Sequence, residues 1–348
     1  AQGSFVGGLA GFCGSLSGVI IINETQVSSQ MDYVGGVSGS VGDNSEWRTN
    51  KAEEKGTNNY SSANGNCQVN ATIIVQTVTI STTGRYVGGV AGYIRGGLLG
   101  SVNVKALTLT GGRLAKETGD TDDGYVGGVA GLITANNYVN DFSSKDQFAR
   151  NKVGIYATIL VGGENQADAV SITAQGNYVG GAFGKSNLDL GHYTTESNSA
   201  GAYNYKGSKY TYAGGSGGTI TVRNLTISSS LGDNIGGVVG AFEGYSLNKV
   251  ENGRIIETQI LSAHVNQTIL SYEKDANGKL TPNYDDDEKL SNLIPSTKVD
   301  GTKYYRAKRR ILALNITITA NGDNVGGAIG KTDSTNENAS LSNNVVDK

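Results

Sequence analysis

The sequence is poor in the residues on which most catalytic and metal sites depend. Its 348 residues include only two histidines and two cysteines. His192 and His264 are isolated from each other in the sequence, and no Cys-x-x-Cys pair, Gly-x-Ser-x-Gly elbow or phosphate-binding loop occurs. We therefore expect no enzymatic activity, no bound cofactor and no metal site.

Long apolar runs and an excess of positive charge are also missing. The longest apolar runs, such as GVIII at 18–22, are far shorter than the roughly 20 residues of a membrane-spanning helix, so we expect no membrane span. The net charge of −3 argues against a nucleic-acid partner, because such proteins usually carry a basic surplus. The sequence has 52 glycines but only two prolines, which excludes collagen. Its abundant Thr, Ser, Asn and Val are typical of all-β proteins.

The ends and the cysteines of the chain leave alternatives open. The chain begins with Ala1 and lacks the charged and apolar regions of a signal peptide, so we expect a processed form or, preferably, a piece of a longer protein. Cys13 and Cys67 could form one disulfide, as in a secreted protein, or remain two buried thiols. The sequence does not decide between these two states.

Glycine, in contrast, is abundant and recurs in a seven-residue motif, YVGGVAG, of which the sequence holds seven exact or varied copies. The copies begin at Phe5, Tyr33, Tyr86, Tyr125, Tyr178, Asn234 and Asn324. Their paired glycines are Gly7, Gly8, Gly35, Gly36, Gly88, Gly89, Gly127, Gly128, Gly180, Gly181, Gly236, Gly237, Gly326 and Gly327. The starts are between 28 residues (5 to 33) and 90 residues (234 to 324) apart, which indicates a repeat of fixed motif and variable body.

An alternating segment precedes most copies of the motif. Examples are TVTIS at 77–81, VSIT at 170–173 and NITIT at 315–319, and such alternation predicts a strand with one buried face. Each unit supplies about three short strands, which cannot bury a core alone but can do so when units stack. The sequence therefore predicts an all-β parallel β-helix, a single solenoid array over 1–348.

The motif itself is expected to form one thin wall of the coil. Its second position is Val or Ile in every copy, which predicts an inward column, and its sixth position lies on the same side by period two. The glycines between them let another wall approach closely. The first position changes from Phe or Tyr to Asn along the chain, so we expect it at an exposed edge.

Two stretches carry a resemblance to a known family. YVGGVAGYIRGGLLGSVNVKALTLTG and FVGGLAGFCGSLSGVIIINETQ resemble the GLUG repeat, a glycine-punctuated β-helix unit of large bacterial and protist surface proteins. The resemblance touches all seven copies, although long insertions depart from the family's tighter spacing. It implies an extracellular or cell-surface role and brings no catalytic residue with it.

Polar insertions interrupt the strand pattern near 41–66, 187–213, 243–256 and 271–309, and we expect them to be loops on one side of the solenoid. The last contains an acidic run, Asp285, Asp286, Asp287 and Glu288, before the basic run KYYRAKRR. Solvated loop faces are the favoured interpretation. Pairing of the two runs, within one molecule or across a filament contact, comes next, and a calcium site last. DTDDG at 120–124 is interpreted as a solvated turn.

Asparagines in N-x-[ST] sequons are candidate N-glycosylation sites. Three of them lie 12, 12 and 11 residues before a motif glycine, which predicts one outward slot in the repeat that carries either N-glycans or a bare Asn/Thr ladder. Those three are Asn23, Asn224 and Asn315. The remaining sequons begin at Asn59, Asn70, Asn266 and Asn338.

Together these patterns predict a non-catalytic structural protein of an extracellular filament, stalk or surface coat. Because an array that begins and ends in ordinary repeats exposes sheet edges, we expect it either to associate with itself or other filament subunits or to continue into further chain. The alternative is an adhesin that binds a host protein or glycan through its inserted loops and some of its 18 tyrosines. A β-helix carbohydrate enzyme is a distant third possibility.

Overall fold

The structure is a stack of coils in which the strands of successive coils pair in parallel. This computed structural model describes residues 4–42, 67–113, 124–134, 138–139, 154–155, 157–190, 202–205, 208–211, 218–243, 245–251, 254–261, 271–274, 280–283, 294–297, 303–306 and 311–332. Three long parallel sheets, which we call A, B and C, form the walls, and coils 1 to 7 each begin at one copy of the motif. The predicted parallel β-helix is confirmed.

The motif supplies the strands of two walls rather than one. The first three residues of each motif form a strand of sheet A, and the fourth and fifth form a corner. The sixth residue begins a strand of sheet B. The strands of sheet A are Phe5–Gly7, Tyr33–Gly35, Tyr86–Gly88, Tyr125–Gly127, Tyr178–Gly180, Asn234–Gly236 and Asn324–Gly326. Those of sheet B are Ala10–Cys13, Ser38–Val41, Ala91–Arg95, Ala130–Thr134, Phe183–Ser186, Val239–Phe242 and Ile329–Thr332. The single wall predicted from the sequence is therefore wrong, because the two glycines let the chain turn within the motif.

Sheet C contains the longest strands, one from each of coils 1 to 6. They are Leu16–Ser29, Cys67–Thr82, Gly97–Gly111, the pair Thr158–Val161 and Val170–Ala174, Thr219–Ser229 and Ile311–Ala320. In coil 4 the strand is split by residues 162–169, which include a short 3₁₀ helix, Gln166–Asp168. Gly154–Ile155 and Asp189–Leu190 add two short strands to the same sheet.

The predicted insertions lie between the sheet B strand and the long sheet C strand of their coils, and in coil 4 the segment 135–153 has the same position in the chain. Where the structure describes them, they contain antiparallel hairpins. These are Ala202–Tyr205 with Ser208–Thr211, Tyr245–Glu251 with Arg254–Leu261, Ser271–Lys274 with Leu280–Asn283, and Ile294–Thr297 with Lys303–Arg306. Tyr138–Val139 pairs with Tyr245–Glu251.

Five sheet C strands bend at one aligned residue with positive φ. These bend residues are Glu24, Thr77, Ala106, Asn224 and Asn315, with φ between 47° and 53°. The left-handed conformation costs a residue with a Cβ about 1–2 kcal/mol, and Asn adopts it more readily than most others. The bend divides each strand into an early part and a late part that face different directions.

The corner of each motif is joined to the next coil by main-chain hydrogen bonds. In coil 3, the amides of Val90 and Ala91 both donate to the carbonyl of Val129, at 2.9 and 3.0 Å, and Gly89 donates to Gly127 at 3.2 Å. The paired donation to one corner carbonyl recurs from coil 1 through coil 6. Because buried main-chain groups must be paired, every coil has to repeat the corner at the same height.

Except for Gly327 in the last coil, each motif glycine lies against main chain where no side chain fits. A Cβ on Gly88 would lie 2.0 Å from the carbonyl oxygen of Ala91 in the same coil, and one on Gly89 would lie 2.1 Å from the carbonyl oxygen of Gly128 in the next coil. A Cβ on Gly92 would lie 2.4 Å from the carbonyl oxygen of Tyr86. The glycines thus permit close approach both within a coil and between coils.

Aliphatic columns fill the interior. The second motif position faces inward, as predicted, and the fifth position at the corner is equally buried, which simple alternation did not predict. Each such residue contributes about 1.5–3 kcal/mol through burial. The end coils have a described neighbour on one side only, and there Leu9 and Val325 are 60% and 45% exposed.

The glycine contact between coils can be tested with one matched pair of variants. A Cβ on Gly237 would lie 2.0 Å from the carbonyl oxygen of Gly327, whereas a Cβ on Gly327, the equivalent glycine of coil 7, has no described atom within 4 Å. We expect Gly237→Ala to destabilise the fold by at least about 1–3 kcal/mol through overpacking. Gly327→Ala should change the stability by less than about 0.5 kcal/mol, as at an ordinary surface site. Thermal and urea unfolding measure both, and equal effects would contradict the close packing.

Candidate functional site

One outer surface of the solenoid consists almost entirely of hydroxyl side chains. It is formed by the outward residues in the late parts of the sheet C strands, and we call it the hydroxyl face. All twelve residues are exposed, eleven are Ser or Thr, and none is charged. They are Gln26, Ser28, Thr79, Ser81, Thr108, Thr110, Ser171, Thr173, Thr226, Ser228, Thr317 and Thr319.

These residues form two columns because the late parts of the strands pair without a register shift. Thr108 pairs with Thr79 on one side and with Ser171 on the other, and Thr110 pairs with Ser81 and Thr173 in the same way. Residues of one column lie about 4.8 Å apart across the sheet, and the two columns lie about 6.6 Å apart along the strand. The late parts of the strands therefore present a two-by-six rectangular array.

Aromatic rings stack along sheet A at the first motif position. Phe5, Tyr33, Tyr86, Tyr125 and Tyr178 have successive ring centroids 4.8, 4.7, 5.0 and 4.9 Å apart. The last three of these pairs are within 11° of parallel, so each inner ring is covered on both faces. All five side chains are half-buried, whereas Asn234 is buried and Asn324 is exposed, so the exposed edge predicted for this position holds fully only in coil 7.

Beyond Tyr178 the aromatic ladder continues as an amide ladder. Asn324 Nδ2 donates to Asn234 Oδ1 at 3.0 Å, which pairs coils 6 and 7 at the same motif position. The ammonium group of Lys185 lies 4.9 Å from the ring centroid of Tyr178, a cation–π contact at the junction of the two ladders. The change from Tyr to Asn thus exchanges ring stacking for side-chain hydrogen bonding without changing the backbone register.

A carboxylate between two ammonium groups joins coils 5, 6 and 7. Glu243 contacts Lys185 at 2.6 Å and Lys331 at 2.8 Å, one lysine at each of its two oxygens. Burial by itself raises the pKa of Glu243, but the hydrogen bonds from Lys185 and Lys331 outweigh it and lower the pKa below its ordinary value. This charge cluster links three coils, and the second ammonium group leaves it with one net positive charge.

A second charged cluster lies where sheet C returns to sheet A. The carboxylate of Asp32 contacts Arg85 at 2.8 Å and Arg113 at 3.5 Å, so it joins the turns of three successive coils. The hydrogen bond from Arg85 is the main reason that the pKa of Asp32 is lowered from its ordinary value. Both charged clusters hold coils together and neither leaves an open cleft lined by paired carboxylates.

The segment that splits the coil 4 strand is held by the next coil. Arg223 contacts Glu164 at 2.7 Å, and Asn224 Nδ2 donates to the carbonyl of Gly163 at 2.7 Å. Residues 162–169 are thereby fixed against sheet C. This contact also occupies the side-chain amide of one candidate glycosylation site.

The sequon asparagines differ in their surroundings. Asn224 and Asn315 are bend residues of adjacent coils, and Asn315 Nδ2 donates to Asn224 Oδ1. Asn23 lies one position before the bend residue Glu24. The three asparagines therefore do not occupy the same position in the repeat, as the sequence predicted, but positions that differ by one residue. Asn23 and Asn70 are exposed. Asn59, Asn266 and Asn338 lie outside the described residues.

Adjacent coils lie about 4.8 Å apart, which is too close for two bulky glycans to extend freely from Asn224 and Asn315. The fold explains without glycosylation why Asn is followed two residues later by Thr at these two positions. Asn suits the left-handed bend, and the residue two positions later belongs to a column of the hydroxyl face, as Thr226 and Thr317 do. N-glycosylation stays a prediction, and it fits Asn23 and Asn70 best.

Cys13 is a half-buried thiol in the first strand of sheet B. Its Sγ lies 3.5 Å from Ser38 Oγ in the next coil. Cys67 begins a strand of sheet C, and its side chain lies outside the described residues. The disulfide and the two separate thiols therefore both stand as alternatives.

Several polar groups noted in the sequence also fall outside the described side chains. They are His192, His264, the acidic run Asp285, Asp286, Asp287 and Glu288, the basic run at 303–310 and the acidic residues of 120–123. Among the side chains that are described, no group of three or more His, Cys, Asp or Glu could hold a metal ion. Within the same part of the chain, no helix is long and apolar enough to cross a membrane.

Comparisons with protein-family models, with curated proteins and with solved structures found no match to this chain. The likeness to the GLUG repeat therefore rests on the motif and its recurrence.

The Glu243 cluster predicts a specific dependence of stability on pH. Because the folded-state pKa of Glu243 is lowered, its contribution is present above the ordinary value of 4.5 and is lost as pH falls through the folded-state value. Glu243→Gln should therefore destabilise the protein at pH 7, and its difference from wild type should shrink as pH falls below 4.5.

Glu164→Gln is the matched control, since the Glu164 side chain is 84% exposed in its ion pair with Arg223. We expect this change to be within about 1 kcal/mol of neutral, as for most surface pairs. Urea unfolding between pH 3 and 7 measures all three proteins. A Glu243→Gln deficit that stays constant with pH would contradict the assignment.

Proposed function

We propose that the chain is a non-catalytic structural segment of an extracellular filament, stalk or cell-surface coat. The observation that carries this proposal is the uninterrupted stack of seven coils, in which every described sheet A strand pairs in register with its neighbours. A solenoid of this kind contacts mainly its own neighbouring repeats and forms a stiff rod. The resemblance to repeats of surface proteins supports the extracellular location.

The outer surface supports a mechanical role over an enzymatic one. Its charged groups, Asp32 with two arginines and Glu243 with two lysines, each tie together three coils. The aromatic ladder has the same effect, because each ring contacts the ring of the next coil. The charged side chains of these two clusters and the stacked rings are thus engaged in holding successive coils together.

The end coils of the described stack expose apolar residues against which a second copy, or further coils of a longer chain, would pack. Coil 1 exposes Leu9 and Phe12, at 60% and 44%, and coil 7 exposes Val325 at 45%. Within the described residues, the sheet A strands of these two coils are hydrogen-bonded on one side only. A head-to-tail contact between such unlike ends repeats without closing and generates a filament.

The tyrosines offer less support to an adhesin. The faces of Tyr33, Tyr86 and Tyr125 are covered by neighbouring rings, so these residues present only edges and hydroxyl groups to a partner. An adhesin would have to bind through the insertions between sheets B and C.

Electron microscopy of the purified chain and of native surface material tests the proposal. We expect fibres in both samples, with the solenoid axis along the fibre. Leu9→Lys and Val325→Lys place a charge in the end contact and should shorten or abolish the fibres, whereas Thr158→Lys on a lateral exposed position should not. Isolated rods at every concentration, unaffected by these variants, would contradict the filament.

The native material also tests its glycosylation. We propose that N-glycans occupy Asn23 and Asn70, whose side chains are exposed. Glycosidase treatment should then lower the intact mass by the mass of the sugars. An unchanged mass would remove glycans from the proposal without affecting the filament.

A further inference from the structure

We propose that the hydroxyl face binds crystalline ice. This activity goes beyond the structural role, and it rests on the composition and register of one surface. Eleven of the twelve outward residues are Ser or Thr, all twelve are exposed, and the six strands that carry them are contiguous. An ordered lattice of water is the ligand whose chemistry and periodicity such an array matches.

Two adjacent columns of hydroxyl side chains occur only on this face among the described residues, whereas the early parts of the strands carry a single such column, Thr72, Ser101, Thr158 and Thr219. In the early parts of the same strands, the outward positions include Leu99, Leu160, Lys105 and Arg223, so apolar and charged side chains occur there. Sheet A presents its aromatic ladder. A general preference of the chain for Ser and Thr therefore does not account for an uncharged array in one place.

The geometry of the array suits a crystal surface. Its hydroxyls repeat about every 4.8 Å along the solenoid, over four spacings in one column and five in the other, and the two columns lie about 6.6 Å apart. Water oxygens on the prism faces of ice form a rectangular pattern of comparable dimensions. Each hydroxyl can donate one hydrogen bond and accept two.

The array is held rigid from beneath. Ile80, Leu109, Ile172 and Ile227 alternate with the outward residues and are fully buried in the core. Threonine also has few χ1 rotamers to lose, because it is branched at Cβ. A preorganised surface loses little entropy on binding, and many weak contacts on one rigid body add up.

The same surface is poorly suited to other classes of partner. None of its side chains is positively charged, which a nucleic-acid or anionic-lipid surface would require. None is a large exposed hydrophobic residue, so a protein partner would find no anchor. None is aromatic, so a polysaccharide would lack the ring faces on which sugars stack. The strands beneath are paired on both sides at coils 2 to 5, which leaves no edge for an added strand.

Thermal hysteresis and inhibition of ice recrystallisation test the proposal on the purified chain. Thr108→Tyr and Thr173→Tyr each place a bulky ring in the middle of the array, and Thr158→Tyr makes the same change on the early part of the coil 4 strand, outside the hydroxyl face. We expect wild type and Thr158→Tyr to open a gap between melting and freezing temperatures and to shape ice crystals. The two central variants should lose most of that gap at equal concentration.

Thermal unfolding of each variant shows whether it retains the fold. Thr108→Val and Thr173→Val, which keep the size of the side chain but remove its hydroxyl, are a second pair of variants that disturb the surface less. A wild-type gap no larger than that of an unrelated protein of similar mass would overturn the proposal. Equal activity in wild type and in folded central Tyr variants would overturn it as well. Adsorption to insoluble polysaccharide that depends on Thr108 and Thr173, without any effect on ice, would reassign the face to a glycan.

Discussion

The contact between the main chains of successive glycine corners is the constraint on which the structure depends. One corner carbonyl accepts two amides from the coil before it, and the glycine beside it has no room for a Cβ. Corners that stack in this way must coincide in every coil. The seven-residue motif therefore keeps its length and its glycines, while the connections between sheets B and C vary freely in length.

Exact stacking of the corners has consequences on the outside of the solenoid. Equivalent side chains of successive coils lie one strand spacing apart, so any residue type that recurs at one position becomes a column. Tyrosines at the first motif position stack, and Ser and Thr in sheet C form an array. Glu243 can join Lys185 and Lys331 although 58 residues (185 to 243) and 88 residues (243 to 331) separate them in the sequence.

Recurrence was enough to predict the β-helix and the inward second motif position, since both follow from the motif and from period two. The corner was harder to foresee, because alternation cannot show that the fifth position is buried once the chain turns between sheets A and B. Segments such as NITIT predicted strands with one buried face, yet their outward Thr residues gained significance only when six strands were aligned. The charged clusters depend on insertions of unequal length, so no spacing in the sequence reveals them.

Amide hydrogen exchange at the corner glycines tests the central constraint most directly. The amides of Gly36, Gly89, Gly128, Gly181 and Gly237 donate to the following coil. If the corners hold the stack, these five amides should exchange only through global unfolding, with the same opening free energy as the valines of the buried columns. Rapid exchange at the glycines, while the valine strands remain protected, would contradict the account.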